Sequence, residues 1–222
     1  MTRASAILFD LDGTLVDLEV DIEQVRAELR AVFEPLGYGG GFRPILPGID
    51  EAARTVAHTP EVRREWVARG RAVIDRAEAA ARVTARPGAC DIVWALARSG
   101  VPIGLFTDNG RCAVERALTV LQVKFQAVAS RDDVMCPKPD PEGVSRVAGQ
   151  LLAAGGVLWV IGDSVRDIRA AVAAQSELAN VDIRPIGVIG GRSSKTDLTD
   201  AGAHAVIDRV EDCLSLPAFA RR

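Results

Sequence analysis

The sequence contains very little lysine. Of its 27 basic residues only three are lysines, at positions 124, 138 and 195, and the others are arginines. The formal net charge is −3, so the chain has no basic excess of the kind that indicates a nucleic-acid partner. In so arginine-rich a chain, a retained lysine is a candidate for a specific role.

Metal-thiolate and membrane signals are also absent from the sequence. The four cysteines form no C-x-x-C pair and only two histidines occur, which excludes a zinc site of ordinary spacing. The longest uncharged run, residues 147–162, is shorter than a membrane span and is interrupted by Gly155-Gly156. No charged segment of signal-peptide type precedes the first apolar run. We therefore expect a soluble, cytoplasmic protein with reduced cysteines, no membrane partner and no nucleic-acid partner.

Two carboxylates follow the first apolar run of the chain. Residues 6–9 predict a strand buried on both faces, and Asp10 and Asp12 come directly after it, before Gly13. An Asp pair before Gly is also common in turns. However, two like charges at the end of a buried strand cost free energy, and a divalent cation such as Mg²⁺ would neutralise them. A chance D-x-D-G-T match in a chain of this length is on the order of one in a thousand.

The apolar periodicity divides the chain into two parts. Residues 18–85 contain helical patterns and no strand pattern, whereas from Arg86 onward predicted strands alternate with helices of about ten residues, and a last helix follows the strand at 205–207. This alternation predicts an α/β fold with a parallel sheet covered by helices on both faces. The first strand belongs to that sheet. We therefore expect a core of residues 1–17 and 86–222, with a helical domain of residues 18–85 inserted into it.

Ligands of such sheets bind beyond the carboxyl ends of the strands. After the strand ending at Phe106 the chain continues Thr107-Asp108-Asn109, a hydroxyl and free backbone amides that suit an anion, although a helix N-cap explains them equally well. After the next strand Lys138 lies between two prolines, which stiffen the loop that presents its ammonium group.

A second carboxylate pair follows the strand that ends at Ile161. Asp163 lies in the loop, and Asp167 is near the start of the next helix, where an acid also complements the helix dipole. Together, the residues after the four strands predict a site for Mg²⁺ and phosphate, with a carboxylate available as nucleophile.

These four motifs resemble those of the haloacid dehalogenase (HAD) superfamily. They are Asp10-Leu11-Asp12-Gly13-Thr14, Thr107 after a strand, Lys138 in Pro-Lys-Pro-Asp-Pro, and Gly162-Asp163-x-x-x-Asp167, and they cover residues 7–167 in the expected order. The insertion resembles the helical C1-type cap of the phosphoglycolate phosphatase and β-phosphoglucomutase branch. The resemblance implies a Rossmann-like core with strand order 5-4-1-2-3, in which Asp163 lies beside Asp10.

Carried onto this sequence, the resemblance implies a Mg²⁺-dependent hydrolase of a small phosphorylated metabolite. Asp10 would be the nucleophile that forms an aspartyl-phosphate, and Asp12 the general acid and base. The Asp10 carboxylate, the Asp12 backbone carbonyl and Asp163 would hold Mg²⁺, with Asp167 as a direct or indirect ligand. Thr107 and Lys138 would bind the transferring phosphoryl group.

One residue departs from the family pattern. Asp108 occupies a position where many relatives have Asn, and its carboxylate would repel phosphate if it pointed inward. We therefore expect the backbone N–H group of Asp108, together with Asn109, to contribute to the phosphate site.

Four alternatives share part of this pattern. A dehalogenase needs neither Asp12 nor a metal, and a receiver-like signalling module has an adjacent acidic pair and no such insertion. A non-catalytic phosphate-binding module would be expected to lack one of these groups. A phosphomutase shares all of them, and differs in how well the cap excludes water from the aspartyl-phosphate. Substrate selection is expected in the cap, with Glu19, Tyr38 and Arg43 as candidate residues.

Overall fold

The structure is a computed structural model that describes residues 5–215 of the chain. Two compact units are present within these residues. The first comprises residues 5–18 and 83–215, and the second comprises residues 19–82. Within residues 5–215, no helix combines the length and the apolar character needed to cross a bilayer.

The first unit is built on a six-stranded parallel sheet. Its strands, in spatial order, are β5 (Ala127–Ala129), β4 (Ile103–Phe106), β1 (Ser5–Phe9), β6 (Gly156–Gly162), β7 (Val181–Val188) and β8 (Ala205–Ile207). Counted along the chain, the first five strands of this sheet are β1, β4, β5, β6 and β7, and their spatial order is the expected 5-4-1-2-3. The sixth strand, β8, extends the sheet beyond β7. The α/β fold class is confirmed as well.

The central position of β1 brings three strand ends together. Phe9 is paired in register with Leu105 of β4 and with Ile161 of β6. Because all three strands run in the same direction, the loops that follow them meet at one edge of the sheet.

Helices cover both faces of the sheet because the side chains of each buried strand alternate between the faces. Ile7 and Phe9 pack on one face with α4 (Ala89–Arg98) and α5 (Arg111–Leu121). Leu8 packs on the other face, whose hydrophobic cluster includes residues of α6 (Glu142–Leu151) and α7 (Val165–Ala174).

The second unit is helical. It contains α1 (Ile22–Phe33), a 3₁₀ helix (Glu34–Leu36), α2 (Ile45–Val56) and α3 (Pro60–Ala80). The pair Thr59-Pro60 predicts the start of a helix, with threonine as N-cap and proline in the first turn. The structure confirms it, because Thr59 caps α3 by accepting a hydrogen bond from Val62 N. Val25, Leu29 and Phe33 of α1 lie in the buried cluster of this unit.

The prediction that residues 18–85 contain no strand was wrong at both ends. β2 (Val16–Glu19) and β3 (Arg82–Ala85) pair in a separate two-stranded sheet. Four residues are too few for the alternation of a strand to be distinguished from one turn of a helix. The apolar pattern also predicts a short helix over residues 49–57, and in the structure this helix, α2, begins earlier, at Ile45. It includes Pro47 in its first turn, where a missing N–H group costs no intrahelical hydrogen bond.

The structure also differs from the prediction near the end of the described chain. The apolar run at residues 186–189 predicts a strand, and in the structure this strand, β7, begins earlier, at Val181. Helix α8 (Lys195–Asp200) was not predicted. The expected last helix is, within the described residues, a 3₁₀ helix (Val210–Ser215). At six residues each, α8 and this 3₁₀ helix give only a weak periodic signal.

Candidate active site

Three buried carboxylates meet at the carboxyl edge of the sheet. Asp10 follows β1, and Asp163 and Asp167 follow the neighbouring strand β6. Each of the three residues is at most 5% exposed, and one oxygen from each lies within 4.8 Å of the others. The sequence predicted this group. The three carboxylates therefore concentrate negative charge in a buried place from which water is largely excluded.

A glycine makes this approach possible. Gly13 has a φ angle of +94°, which L side chains rarely adopt. A Cβ atom at this position would lie 2.5 Å from Asp163 Oδ2. The next residue, Thr14, is fully buried, and its hydroxyl lies 3.4 Å from Asp10 Oδ2 and 3.5 Å from Asp163 Oδ1. The turn after β1 therefore brings backbone and a hydroxyl against both carboxylates.

The ammonium group of Lys138 enters the same cluster. Its Nζ lies 2.5 Å from Asp10 Oδ1 and 2.6 Å from Asp167 Oδ1, and only 8% of the side chain is exposed. The ammonium also lies 3.7 Å from the centre of the Phe106 ring, a favourable cation–π distance. The structure thus brings together the lysine and two of the carboxylates that the sequence singled out.

The protonation equilibria of the cluster follow from burial and from these charges. Burial and the negative charge of Asp167 raise the pKa of Asp10 well above its usual range, although Lys138 opposes them. Burial and Asp167 also raise the pKa of Asp163. Burial disfavours charge on Asp167 too, but Lys138 and hydrogen bonds from Ser164 outweigh it and lower the pKa of Asp167. Burial acts to lower the pKa of Lys138, but Asp10 and Asp167 outweigh it and raise that pKa.

Asp12 does not point into this cluster. Its Oδ1 atom accepts a hydrogen bond of 2.9 Å from Leu18 N, and its Oδ2 atom is paired with the guanidinium of Arg192. Burial raises the pKa of Asp12, and Arg192 partly offsets the rise. The backbone N–H of Arg192 donates to Asp163 Oδ2 at 2.7 Å. Arg192 thus contacts two of the predicted site residues.

Sequence reasoning missed Arg192. The residue follows β7 in the sequence Gly190-Gly191-Arg192, at the same edge of the sheet as the other site residues. A Cβ on Gly191 would overlap the Asp163 carboxylate, so this glycine is required for the close approach. A glycine pair directly after a buried strand was the signal that could have identified Arg192.

Thr107 is buried at the carboxyl end of β4, as expected. Its hydroxyl donates to Asn109 Oδ1 at 2.7 Å and accepts from Asn109 N at 3.1 Å. The Asp108 side chain contacts the backbone N–H of Lys138 and the guanidinium of Arg166. Thr107, Asp108 and Lys138 line one small cavity. Three of the four residues predicted for the phosphate site therefore line one cavity, and the fourth, Asn109, is hydrogen-bonded to Thr107.

The candidate specificity residues lie in other surroundings. Tyr38 is only 7% exposed, packs edge-on against Phe33 and Phe42, and donates a hydrogen bond of 3.2 Å to Glu51. This burial gives Tyr38 a packing role in the second unit and leaves little of its ring free to touch a substrate, contrary to our expectation.

The other two candidates are accessible. Arg43 is exposed and its guanidinium lies 3.1 Å from a carboxylate oxygen of Glu23. Glu19 is an exposed residue at the end of β2. Both remain candidates for contact with a substrate.

The chain is similar to known hydrolases over most of its length. Residues 7–181 match the family model described as haloacid dehalogenase-like hydrolase. A phosphoglycolate phosphatase encoded on a plasmid of Cupriavidus necator is 33% identical over 97% of this chain and 92% of its own length. An N-acetylmuramic acid 6-phosphate phosphatase of Pseudomonas aeruginosa is 27% identical over 81% of this chain and 82% of its own length.

Solved structures share the fold. CbbY from Rhodobacter sphaeroides, solved in complex with phosphate, superposes with a TM-score of 0.65 over 99% of this chain and 100% of its own, at 22% identity. The family match covers most of the chain, and the relative from Cupriavidus necator is similar over nearly its whole length. The chain therefore belongs to the haloacid dehalogenase-like hydrolase family, which confirms the resemblance that its four motifs indicated and the expectation that it is an enzyme.

Proposed function

We propose that this protein is a Mg²⁺-dependent phosphatase that hydrolyses a small phosphate monoester through an aspartyl-phosphate on Asp10. The observation that carries the proposal is the position of Asp10. It is buried 2.5 Å from the Lys138 ammonium, within a cluster of three carboxylates. The relatives named as phosphatases support the same activity.

The charge of the cluster fits a divalent cation. Three carboxylates and one ammonium leave a net negative charge in a buried site. Burial and the negative charge of Asp167 raise the pKa of Asp10 well above its usual range. Oxygen donors of this kind are those that Mg²⁺ prefers. Asp10, Asp163 and the backbone carbonyl of Asp12 would hold the ion, with Asp167 beside them. The ion would supply neutralisation of phosphate charge.

The residues of the chain divide the chemical work between them. An Asp10 oxygen attacks phosphorus while the bond from phosphorus to the leaving oxygen breaks. Asp12 gives its proton to that oxygen and later takes a proton from the water that attacks the phosphoryl group, which regenerates Asp10. A pKa of Asp12 raised by burial suits both proton transfers. Lys138 and Thr107 hold the phosphoryl oxygens as charge redistributes.

The substrate class is proposed from the names of the relatives. Phosphoglycolate and a sugar phosphate are the substrates that the names of the relatives suggest. Arg43, an exposed cation of the second unit, is the residue we propose to contact the part of the substrate that distinguishes these molecules.

The test measures phosphate release from p-nitrophenyl phosphate, 2-phosphoglycolate and N-acetylmuramate 6-phosphate. Each is assayed with Mg²⁺ and with EDTA, for the wild type and for Asp10→Asn. Asp17→Asn is the matched control because Asp17 lies in the same segment but is half-exposed and paired with Arg86. We expect Mg²⁺-dependent release that is lost in Asp10→Asn and kept in Asp17→Asn. Phosphate exchange between sugar phosphates without net release would instead identify a phosphomutase.

A further inference from the structure

The peptide groups on both sides of Lys138 Cα are held by two side chains. Its N–H group donates to Asp108 Oδ1 at 3.0 Å, and its carbonyl oxygen accepts from Arg166 Nε at 2.9 Å. Asp108 comes from the loop after β4 and Arg166 from the first turn of α7. The loop that carries the lysine, which follows β5, is therefore fixed by residues that follow two other strands of the sheet, β4 and β6.

The two side chains that hold Lys138 are also paired with each other. Arg166 Nη2 lies 2.8 Å from Asp108 Oδ2, and about a third or less of either side chain is exposed. The backbone of Asp108 is held as well, because buried Arg131 donates to its carbonyl oxygen at 2.8 Å. The contacts form a closed ring of Asp108, Arg166 and the Lys138 backbone, which we call the Lys138 clamp.

The charge of Asp108 gives Arg166 a second role, in addition to holding the Lys138 carbonyl. The Asp108 carboxylate follows Thr107 directly and lines the same small cavity as Lys138, so an unpaired charge there would repel a phosphoryl group. Arg166 is a cation in direct contact with that carboxylate. The pair is thus neutral overall, and the Lys138 ammonium is paired with Asp10 and Asp167.

We propose that Asp108 and Arg166 are a coupled pair of positioning residues that place the Lys138 ammonium and cancel each other's charge beside the phosphate site. Arg166 is then required because residue 108 is an aspartate. Asparagine at position 108 keeps an oxygen that can accept the Lys138 N–H group but carries no charge to neutralise. The part of the inference that concerns phosphate rests on the proposed function.

The kinetic test is a double-mutant cycle on p-nitrophenyl phosphate, with inorganic phosphate as inhibitor. The variants are Arg166→Gln, Asp108→Asn and the double substitution. We expect Arg166→Gln to raise KM and the inhibition constant of phosphate by about tenfold, within the range of couplings between contacting residues, and to change kcat less. In the Asp108→Asn background the same substitution is expected to cost about twofold or less. Equal losses in both backgrounds would overturn the coupling.

Two further variants separate positioning from general damage. Arg169→Gln removes an exposed cation from the same helix and is expected to change neither constant. Arg166→Lys keeps the charge but not the planar fork that reaches both Asp108 and the Lys138 carbonyl. We expect its KM to lie between those of the wild type and Arg166→Gln. A KM for Arg166→Lys equal to that of Arg166→Gln would contradict charge cancellation.

The lysine position can be observed without any turnover. The chain has three lysines, so ¹³C,¹⁵N-lysine labelling gives three side-chain signals, and Lys138→Arg assigns the one of interest. Its ammonium lies 3.7 Å from the Phe106 ring centre, so its ε-CH₂ protons carry a ring-current shift. Arg166→Gln is expected to move this signal toward those of Lys124 and Lys195, which stay in place.

The kinetic and the NMR measurements distinguish a failure of the proposed function from a failure of the positioning inference. If the wild type releases no phosphate from any substrate, the proposed function is wrong, and the lysine signal still decides whether the clamp positions Lys138. If the enzyme is active but the Lys138 signal does not move in Arg166→Gln, the positioning inference is overturned. If all three lysine signals move, the variant has lost its fold, and Arg166→Lys then supplies the decisive comparison. There the clamp predicts a Lys138 signal displaced part of the way while Lys124 and Lys195 stay in place, because the contact of the fork with the Lys138 carbonyl is lost. An unchanged Lys138 signal in Arg166→Lys contradicts the clamp.

Discussion

Replacing Lys138 by methionine is predicted to destabilise the metal-free protein strongly. Methionine has a comparable length but no charge, so Asp10 and Asp167 each lose an ion pair of 2.5 to 2.6 Å in a buried site. Removing one partner of a buried ion pair typically costs about 3–5 kcal/mol, because the other charge stays buried without compensation. Two carboxylates depend on this one ammonium, so we expect a loss in that range.

The loss is measurable as a change in thermal unfolding. At roughly 2–4 °C per kcal/mol for a chain of this size, Lys138→Met is expected to lower Tm by roughly 6–20 °C in EDTA. Lys124→Met is the control, because Lys124 is exposed and its substitution is expected to leave Tm unchanged within about 1 °C. Added Mg²⁺ should recover part of the loss, because a cation that binds the native carboxylates stabilises the folded state.

A second substitution tests the cause of the loss. Burial and the charge of Asp167 already disfavour the ionised form of Asp10, so Asp10→Asn removes an unfavourable charge. We expect the double substitution Lys138→Met with Asp10→Asn to be more stable than Lys138→Met alone. The reasoning would be refuted if Lys138→Met lowered Tm no more than Lys124→Met does, or if Asp10→Asn deepened its effect.

Three further substitutions test other parts of the account. Gly13→Ala is expected to lower the free energy of unfolding by more than about 1 kcal/mol in urea denaturation and to abolish turnover. The reason is that φ of Gly13 is +94° and the added Cβ would lie 2.5 Å from Asp163. Gly39→Ala, where the added Cβ has open space, should change neither stability nor turnover. Tyr38→Phe is expected to cost about 0.5–1.5 kcal/mol of stability, because the hydrogen bond to Glu51 is lost, and to leave kcat/KM unchanged. A large loss of kcat/KM would restore Tyr38 as a substrate contact. Arg43→Ala is expected to change kcat/KM for the natural substrate more than for p-nitrophenyl phosphate, and equal values for both would remove Arg43 from the candidates.

The carboxylate cluster could be predicted from the sequence because its signals are local. Asp10 and Asp163 each follow a continuous apolar run, and the rule that ligands bind at the carboxyl ends of parallel strands was enough to bring them together. Lys138 was found for a different reason, its rarity in an arginine-rich chain. Each of these inferences needed only residue type and the approximate end of a strand.

The remaining site residues depend on contacts between segments that are distant in the sequence. Arg192 reaches Asp12 across 180 positions, and one of 24 arginines carries no signal by itself. The prediction for Asp108 was incomplete for the same reason. Its carboxylate is paired with Arg166 and accepts a hydrogen bond from the Lys138 N–H group, and neither contact is visible in the local sequence.

The short elements were missed because each spans no more than about two periods of the pattern that would reveal it. β2 and β3 have four residues each, and α8 has six. Tyr38 shows a different failure. The sequence has glycines at positions 37 and 39–41, a composition typical of an exposed loop, but Phe33 and Phe42 form an aromatic cluster that buries Tyr38.

The measurement that tests the central claim most directly is the site of phosphoryl transfer. The enzyme is mixed with p-nitrophenyl phosphate and Mg²⁺, quenched in acid within the first turnover, digested and analysed by mass spectrometry. We predict one phosphoryl group on the peptide that carries Asp10, sensitive to hydroxylamine and absent in Asp10→Asn. A wild-type enzyme that releases phosphate with burst kinetics while this peptide stays unmodified, or that carries the phosphoryl group on another residue, would contradict the account.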